Sequence, residues 1–375
     1  MARDRIDKKG RRRRRSGFLD ILNGLLTLLV LGLLVAAGAF LYGANQFYAA
    51  GAVKQDTNFT VEKGSRLSVV ADRLEEQQLV SNRWIFQVGT WALRKQTEMK
   101  AGVYVLKANF SMADVLNEIT EGKPLDFFVN VIPGETSFLV AQRINEATSN
   151  LSGDPISVPA EGALLAVRYD FFPGDTRQSV LDAMQARMKE EVATIWAGRD
   201  QTIDEVIKSP EEMVILASIV EKETGLETER PQVAAVFLNR LKKNMRLQTD
   251  PTVLYGVTLG KAVLNRGPTS KELRAETPYN TYQIDALPPG PIANPGTDAL
   301  MAVAHPAATK DLYFVAKSAS PADGHLFAAT YAEHRKNVAA YRKAAEAEAE
   351  SAKEELEAVE AKDAGEIVEA PAAPQ

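Results

Sequence analysis

The 375-residue sequence predicts an α+β protein with a single N-terminal transmembrane helix, a small βααβ-type module and a larger mixed α+β domain. Three observations predict it. An uncharged apolar run, "ILNGLLTLLVLGLLVAAGAFLY" (Ile21 to Tyr42), follows an arginine cluster. A strand–turn–Ser–helix pattern then occurs twice in residues 55–125. Beyond 126, short strand-like segments alternate with amphipathic helices.

The N-terminus sets the compartment. Residues 1–20 form a basic tail, with Arg3, Arg5, Lys8, Lys9 and Arg11 to Arg15 outweighing Asp4 and Asp7. At about 1.5 Å per residue, the uncharged run crosses the roughly 30 Å of a bilayer's hydrocarbon. A cleaved signal peptide has a shorter apolar core of about 7–15 residues, so residues 21–45 read as an uncleaved anchor. Tyr42, Phe47 and Tyr48 fall where interfacial aromatics belong. The basic flank stays cytoplasmic, which exports everything from about Gln46 and gives a single-pass inner-membrane protein. A nucleic-acid role for "RRRRR" fits poorly beside a membrane span.

The net charge of -5 hides this asymmetry, because the far end is acidic. Residues 343–375 form an Ala/Glu-rich tail whose first half can extend a helix and whose Pro/Ala-rich remainder is expected to be disordered. The chain has no cysteine, which excludes disulfides and thiolate chemistry. His305, His325 and His334 lack the close pairing of a zinc motif. No metal or cofactor is implied, and chemistry must come from carboxylates, hydroxyls, amides and bases.

In the module, "FTV" alternates as a strand, "EKGS" turns, and Ser65 is placed to cap a helix bearing Leu67, Val70, Ala71 and Leu74. "GVYVL" repeats the strand, and Ser111 caps a helix bearing Met112, Val115, Leu116 and Ile119. The pattern resembles a LysM-type module, a small βααβ unit that binds N-acetylated glycans; a packing domain without ligand fits the same pattern. In residues 126–342 a long amphipathic helix is expected from about Ser179. "IPGETS" lacks the spacing and lysine of a phosphate loop.

"VILASIVEKETG" (Val214 to Gly225) is the stretch closest to chemistry. Ser209-Pro210-Glu211-Glu212 is a strong helix start, and Gly225 is placed to stop the helix. Val214, Ala217, Ser218 and Glu221 share a face. Glu221 therefore rides an apolar stripe in the last turn, where the helix dipole and burial both oppose ionisation. A carboxyl kept protonated near neutrality suits a general acid. Pairing with a Lys or Arg in a structural role is the competing reading. Glu223 points to a different face.

Downstream loops hold Asn239, Arg240, Gln248, Asp250, Tyr255, Asn280, Tyr282 and Asn294. Amides, hydroxyls and tyrosine rings suit a polymer sugar, whose hydroxyl and acetamido groups they bond and whose pyranose faces they stack upon. Structural roles also fit: Asp250 before Pro251 can cap a short helix, and Asn280 can close a turn.

"ASIVEKET", "VFLNRL", "RLQTDPTVLYG", "YNTY", "LPPGPIANPG" and "GHLFAATYAEH" stand in the order and spacing of the YceG-like, endolytic murein transglycosylase family, which the chain resembles from the anchor to about Arg342. The resemblance implies a catalytic domain over 126–342 that cuts the MurNAc–GlcNAc bond of peptidoglycan internally and leaves 1,6-anhydroMurNAc ends. It places the acid/base at the glutamate of "VEKET", carried over to Glu221, and makes Asn239, Gln248, Asp250, Tyr255, Asn280, Tyr282 and Asn294 candidates for binding glycan. Asp250 is the candidate helper. The 6-hydroxyl of the sugar is the nucleophile, so no second carboxylate is needed to activate water. The resemblance also implies peptidoglycan synthases and the division or elongation machinery as neighbours. The chain departs at "LLAVRYDFFPGDT", which replaces Glu-Gly-Tyr-Leu-Phe-Pro-Asp-Thr-Tyr and leaves the role of the 161–177 loop open, and at Ala286, where glycine is usual. A lysozyme-like hydrolase and a non-enzymatic anchored scaffold stay open as alternatives.

Overall fold

A computed structural model describes residues 17–147, 150–318 and 320–366. The chain forms two compact units, the first ending at Asp126 and the second beginning at Phe127.

The first unit opens with α1 (Gly17–Tyr48), whose side chains are exposed along most of its apolar length. By length and composition it is long and apolar enough to cross a membrane. The helix outruns the expected 21–45 anchor. Phe47 is buried in the module's core instead of facing an interface. Next come β1 (Thr57–Val61), α2 (Leu67–Glu76), α3 (Arg83–Ala92), β2 (Gly102–Leu106) and α4 (Met112–Glu121). The two strands pair antiparallel, with Phe59 opposite Tyr104, so the βααβ order is present. Phe59, Leu74, Phe86, Tyr104, Leu116 and Ile119 fill the core between strands and helices. Ser111 caps α4 in a reciprocal box with Asp114, a contribution of about 1 kcal/mol. Ser65 does not cap α2: Arg66 holds that position, and no side chain caps it.

The second unit holds β3 (Phe128–Asn130), α5 (Ser137–Glu146), β4 (Arg168–Asp170), α6 (Arg177–Gly198), α7 (Pro210–Glu223), α8 (Arg230–Lys242), α9 (Asp250–Thr258), α10 (Ser270–Arg274), α11 (Thr297–Ala304), β5 (Tyr313–Ala316), β6 (His325–Ala328) and α12 (Tyr331–Glu366). Two short antiparallel pairs, β3 with β4 and β5 with β6, are its only sheets among the described residues. The helices supply the main core. α7 runs through the middle and packs on α6, α8, α9 and α11. Leu216, Ala217, Ile219 and Val220 are all fully buried, and each large aliphatic side chain contributes about 1.5–3 kcal/mol on burial. α12 remains helical to Glu366. Residues 343–366 of the tail are therefore helical, as their Ala/Glu/Lys composition allows. Residues 367–375 lie outside the described residues.

Candidate active site

The site sits at the C-terminal end of α7. Ser209 accepts from the Glu212 amide and Pro210 occupies the first turn, so the helix starts where the sequence places it. It ends at Glu223, with Thr224 and not Gly225 in the capping position. Because α7 is buried on nearly every side, the stripe shared by Val214, Ala217, Ser218 and Glu221 does not mark a lining face. Ile219 and Val220, off that stripe, are equally buried.

This changes the reading of Glu221. Its side chain is only 3% exposed, and both carboxyl oxygens are engaged. Arg230 Nη2 donates to Oε1 at 2.9 Å, and the Gly296 amide donates to Oε2 at 2.9 Å. Gly296 is held close: a Cβ there would stand 3.4 Å from Oε2. Arg230 reaches Asp298 only at 3.6 Å, so Glu221 is its main partner. With one donor on each oxygen, the carboxyl is committed to protein partners. Glu221 ties α7 to α8 and to the start of α11.

Two residues on, Glu223 has the opposite surroundings. It keeps part of its surface open to solvent, yet its carboxyl is densely surrounded. Burial raises it above the ordinary carboxylate range. The Thr249 hydroxyl, which donates to Oε1, works against that rise; the charge of Asp250 adds to it; His325 and Arg240 oppose it. Asp250, exposed at the first position of α9, accepts from the Tyr282 hydroxyl at 2.7 Å. Burial, then that bond and the charge of Asp250, raise the Tyr282 phenol.

Glu223, Thr249, Asp250 and Tyr282 thus form one chain of contacts. Lys222 and Pro251, the sequence neighbours of Glu223 and Asp250, line a cavity of about 360 Å³ with Thr136, Leu254, Tyr255 and Ile292. Lys222 Nζ donates to the Gly134 carbonyl at 3.2 Å. Deeper in the same region Glu161 accepts from the Ser137 amide at 2.8 Å and also meets the Tyr255 hydroxyl. Burial raises Glu161, and the Ser137 contacts oppose it. The divergent 161–177 loop therefore keeps one braced carboxyl beside α5.

The family model for the YceG-like family matches residues 59–340. The chain belongs to the YceG-like family. It is 30% identical over 333 residues to a Bacillus subtilis protein named endolytic murein transglycosylase, covering 81% of this chain and 90% of that one. A Streptococcus pneumoniae protein of the same name is 26% identical over 361 residues, covering 83% of this chain and 64% of its own length. A crystal structure of a YceG-like protein from Listeria monocytogenes is 28% identical and covers 75% of this chain, with a TM-score of 0.46. The YceG-like motif "VEKET" contains two glutamates, so resemblance alone does not choose between Glu221 and Glu223; their surroundings differ.

In this YceG-like chain the other sequence-derived candidates separate by what already occupies them. Asn239 donates to the Thr309 and Asp311 carbonyls. Asn280 is fully buried, donates to the Glu272, Leu273 and Ala275 carbonyls and accepts from the Tyr282 amide. Asn294, also fully buried, joins the Glu135 carbonyl, the Ser137 hydroxyl and the Leu164 amide. These three amides hold loops together; Asn280 and Asn294 are closed to a ligand, whereas Asn239 is half-buried on the wall of a separate cavity with Ile203 and Pro306. Asp250 and Tyr282 stand beside Glu223, and Tyr255 lines the cavity. Gln248 is exposed with a left-handed φ of 53° next to Thr249. Sequence reasoning missed Thr249 and placed the acid at Glu221, whose two carboxyl oxygens are bonded to Arg230 and Gly296. The usable signal was "QTD" beside "EKET": a hydroxyl and a second carboxylate positioned to meet a glutamate at a helix end.

Proposed function

We propose that the chain is a membrane-anchored endolytic lytic transglycosylase of peptidoglycan, with Glu223 as its acid and base. The observation that carries the assignment is the half-open Glu223 carboxyl, raised by burial and joined to Thr249, beside Asp250 and Tyr282. Family membership and relatives named endolytic murein transglycosylase support the reaction class.

In the proposed reaction, Glu223 gives its proton to the bridging oxygen as the C1–O bond of MurNAc breaks, and positive charge develops at C1. Asp250, exposed and negative, favours that charge. The ionised Glu223 then takes the proton of the sugar's own 6-hydroxyl while O6 bonds to C1. Protons balance, water is not consumed, and the carboxyl ends as it began. Tyr282 orients Asp250, and Tyr255, its hydroxyl turned to Glu161, offers a ring along the cavity. The exposure of Gln248 next to Thr249 supports a contact with glycan there. Glu221 keeps the end of α7 in position through Arg230.

α1 is long and apolar enough to span a bilayer, and the basic tail before it supports a cytoplasmic N-terminus with the βααβ module and the second unit periplasmic. A tethered enzyme reaches strands close to the membrane, which supports cutting of nascent glycan and limitation of strand length beside synthases of the division or elongation machinery. The βααβ order of the first unit supports the LysM-type reading. The test is to incubate full-length protein and its Glu223→Gln variant with purified peptidoglycan and to identify products by mass. Wild type should release fragments with anhydro ends, which are one water lighter than reducing ends, and the variant should release almost none. Equal release by both would overturn the assignment of Glu223.

A further inference from the structure

Helix α3 is apolar around most of its circumference, and only part of it is used by the core. Phe86 and Thr90 point inward and are fully buried. Gly89 packs against α1, and a Cβ there would stand 2.3 Å from the Phe47 ring, so glycine is required for the two helices to touch. The outer face repeats at helical spacing as Trp84, Val88 and Trp91, which are 62%, 66% and 73% exposed. A small module does not normally leave two tryptophans and a valine together in water. A helix apolar this far round is either buried in protein or placed in lipid.

The position of α3 along α1 selects between these. About 20 helical residues cross the hydrocarbon of a bilayer, and counted from Ile21 they are used up near Phe40. α3 joins α1 beyond that point: Phe40, Gly43, Ala44, Phe47 and Tyr48 form a groove of about 450 Å³ with Trp84, Val88 and Leu93 among its other walls. The outer face of α3 therefore continues the apolar surface of α1 at the level where headgroups begin, the depth that tryptophan favours. Exposed Arg94 follows the helix, suited to lipid phosphates.

We propose that the outer face of α3, carrying Trp84, Val88 and Trp91, inserts into the membrane–water interface and lays the first unit on the bilayer surface. This rests on the reading of α1 as a membrane anchor. A sugar-binding platform is the other use of paired tryptophans. It fits less well, because Val88 and Leu93 offer no hydrogen bond between the rings, and Arg83 is held by Asp72 and Glu75. The docked unit would be fixed against the lipid instead of swinging on a free tether.

The test uses the full chain with Trp196→Phe, which leaves Trp84 and Trp91 as the only tryptophans, reconstituted into phospholipid vesicles. Lipids brominated on the upper acyl chain should remove most of the emission, and a water-soluble quencher should have little effect. Protein that resists alkaline extraction from the vesicles yet keeps its emission with brominated lipid would overturn the docking. An emission unaffected by brominated lipid but shifted by soluble peptidoglycan oligomers would overturn it in favour of a sugar platform. Protein that washes off in alkali would refute the anchor itself, and the docking with it.

Discussion

Replacing Glu221 and Glu223 by glutamine, one at a time, separates a structural carboxylate from a chemical one. Glu221→Gln removes the main partner of Arg230, which is itself buried and has Asp298 left only at 3.6 Å. Breaking a buried pair from one side costs about 3–5 kcal/mol. Glutamine can still accept one bond from Arg230 or Gly296, so a loss of about 2–4 kcal/mol is expected. For a domain of this size each kcal/mol moves the melting point by about 2–4 °C, which predicts a fall of roughly 5–15 °C. Glu223→Gln removes a proton donor from a half-open site and should leave the fold intact. General acid–base catalysis contributes about 10²- to 10⁴-fold, or about 3–5 kcal/mol of barrier. Thermal unfolding and fragment release, measured on both variants and referred to the folded fraction, give the comparison. The expected pattern is a destabilised Glu221→Gln with residual activity and a stable, inactive Glu223→Gln. A Glu221→Gln protein that melts with wild type and is inactive, beside an active Glu223→Gln, would refute the reasoning.

The pH profile should follow the neighbours of Glu223. A general acid works while protonated, so activity falls as pH rises through its pKa, and burial places that limb above the ordinary carboxylate range. Asp250→Asn removes a charge that raises Glu223 and should move the limb to lower pH; Thr249→Val removes a bond that lowers it and should move the limb higher. The same shift has a stability signature. Between the ordinary carboxylate value and the raised one, the unfolded chain has already released this proton, so folding weakens as pH rises across that window. Denaturation curves of Glu223→Gln should lack this decline. Asn294→Ala should act on stability and not on substrate binding, because it strips partners from the buried Glu135 carbonyl and Leu164 amide. A loss of about 2–4 kcal/mol is expected, with an unchanged KM for the protein that remains folded.

Local patterns carried much of the architecture. The uncharged run before Tyr42 implied α1, the Ser111 and Ser209 caps fell where helices begin, and the two strand–helix passages became a paired β1–β2 sheet with its helices. Those features depend on neighbours within a turn or two, which a sequence displays directly. The surroundings of Glu221 were not legible, because periodicity reports which side of a helix is apolar and α7 is enclosed on nearly all sides. The partners that decide its chemistry, Arg230 and Gly296, arrive from other elements. The burial of Asn280 and Asn294 was hidden for the same reason: an amide in a polar loop looks ligand-ready until the carbonyls that fold back onto it are known. Asp250 and Tyr282, nominated separately, meet through a bond that joins residues 32 apart in sequence.

The most direct test of an internal nucleophile is digestion of purified peptidoglycan by the full-length protein in water enriched in oxygen-18, with the new glycan ends read by mass spectrometry. Attack by the 6-hydroxyl predicts anhydro ends that carry no label. Reducing ends bearing one heavy oxygen would mean that water is the nucleophile, and the proposed proton cycle at Glu223 would be wrong.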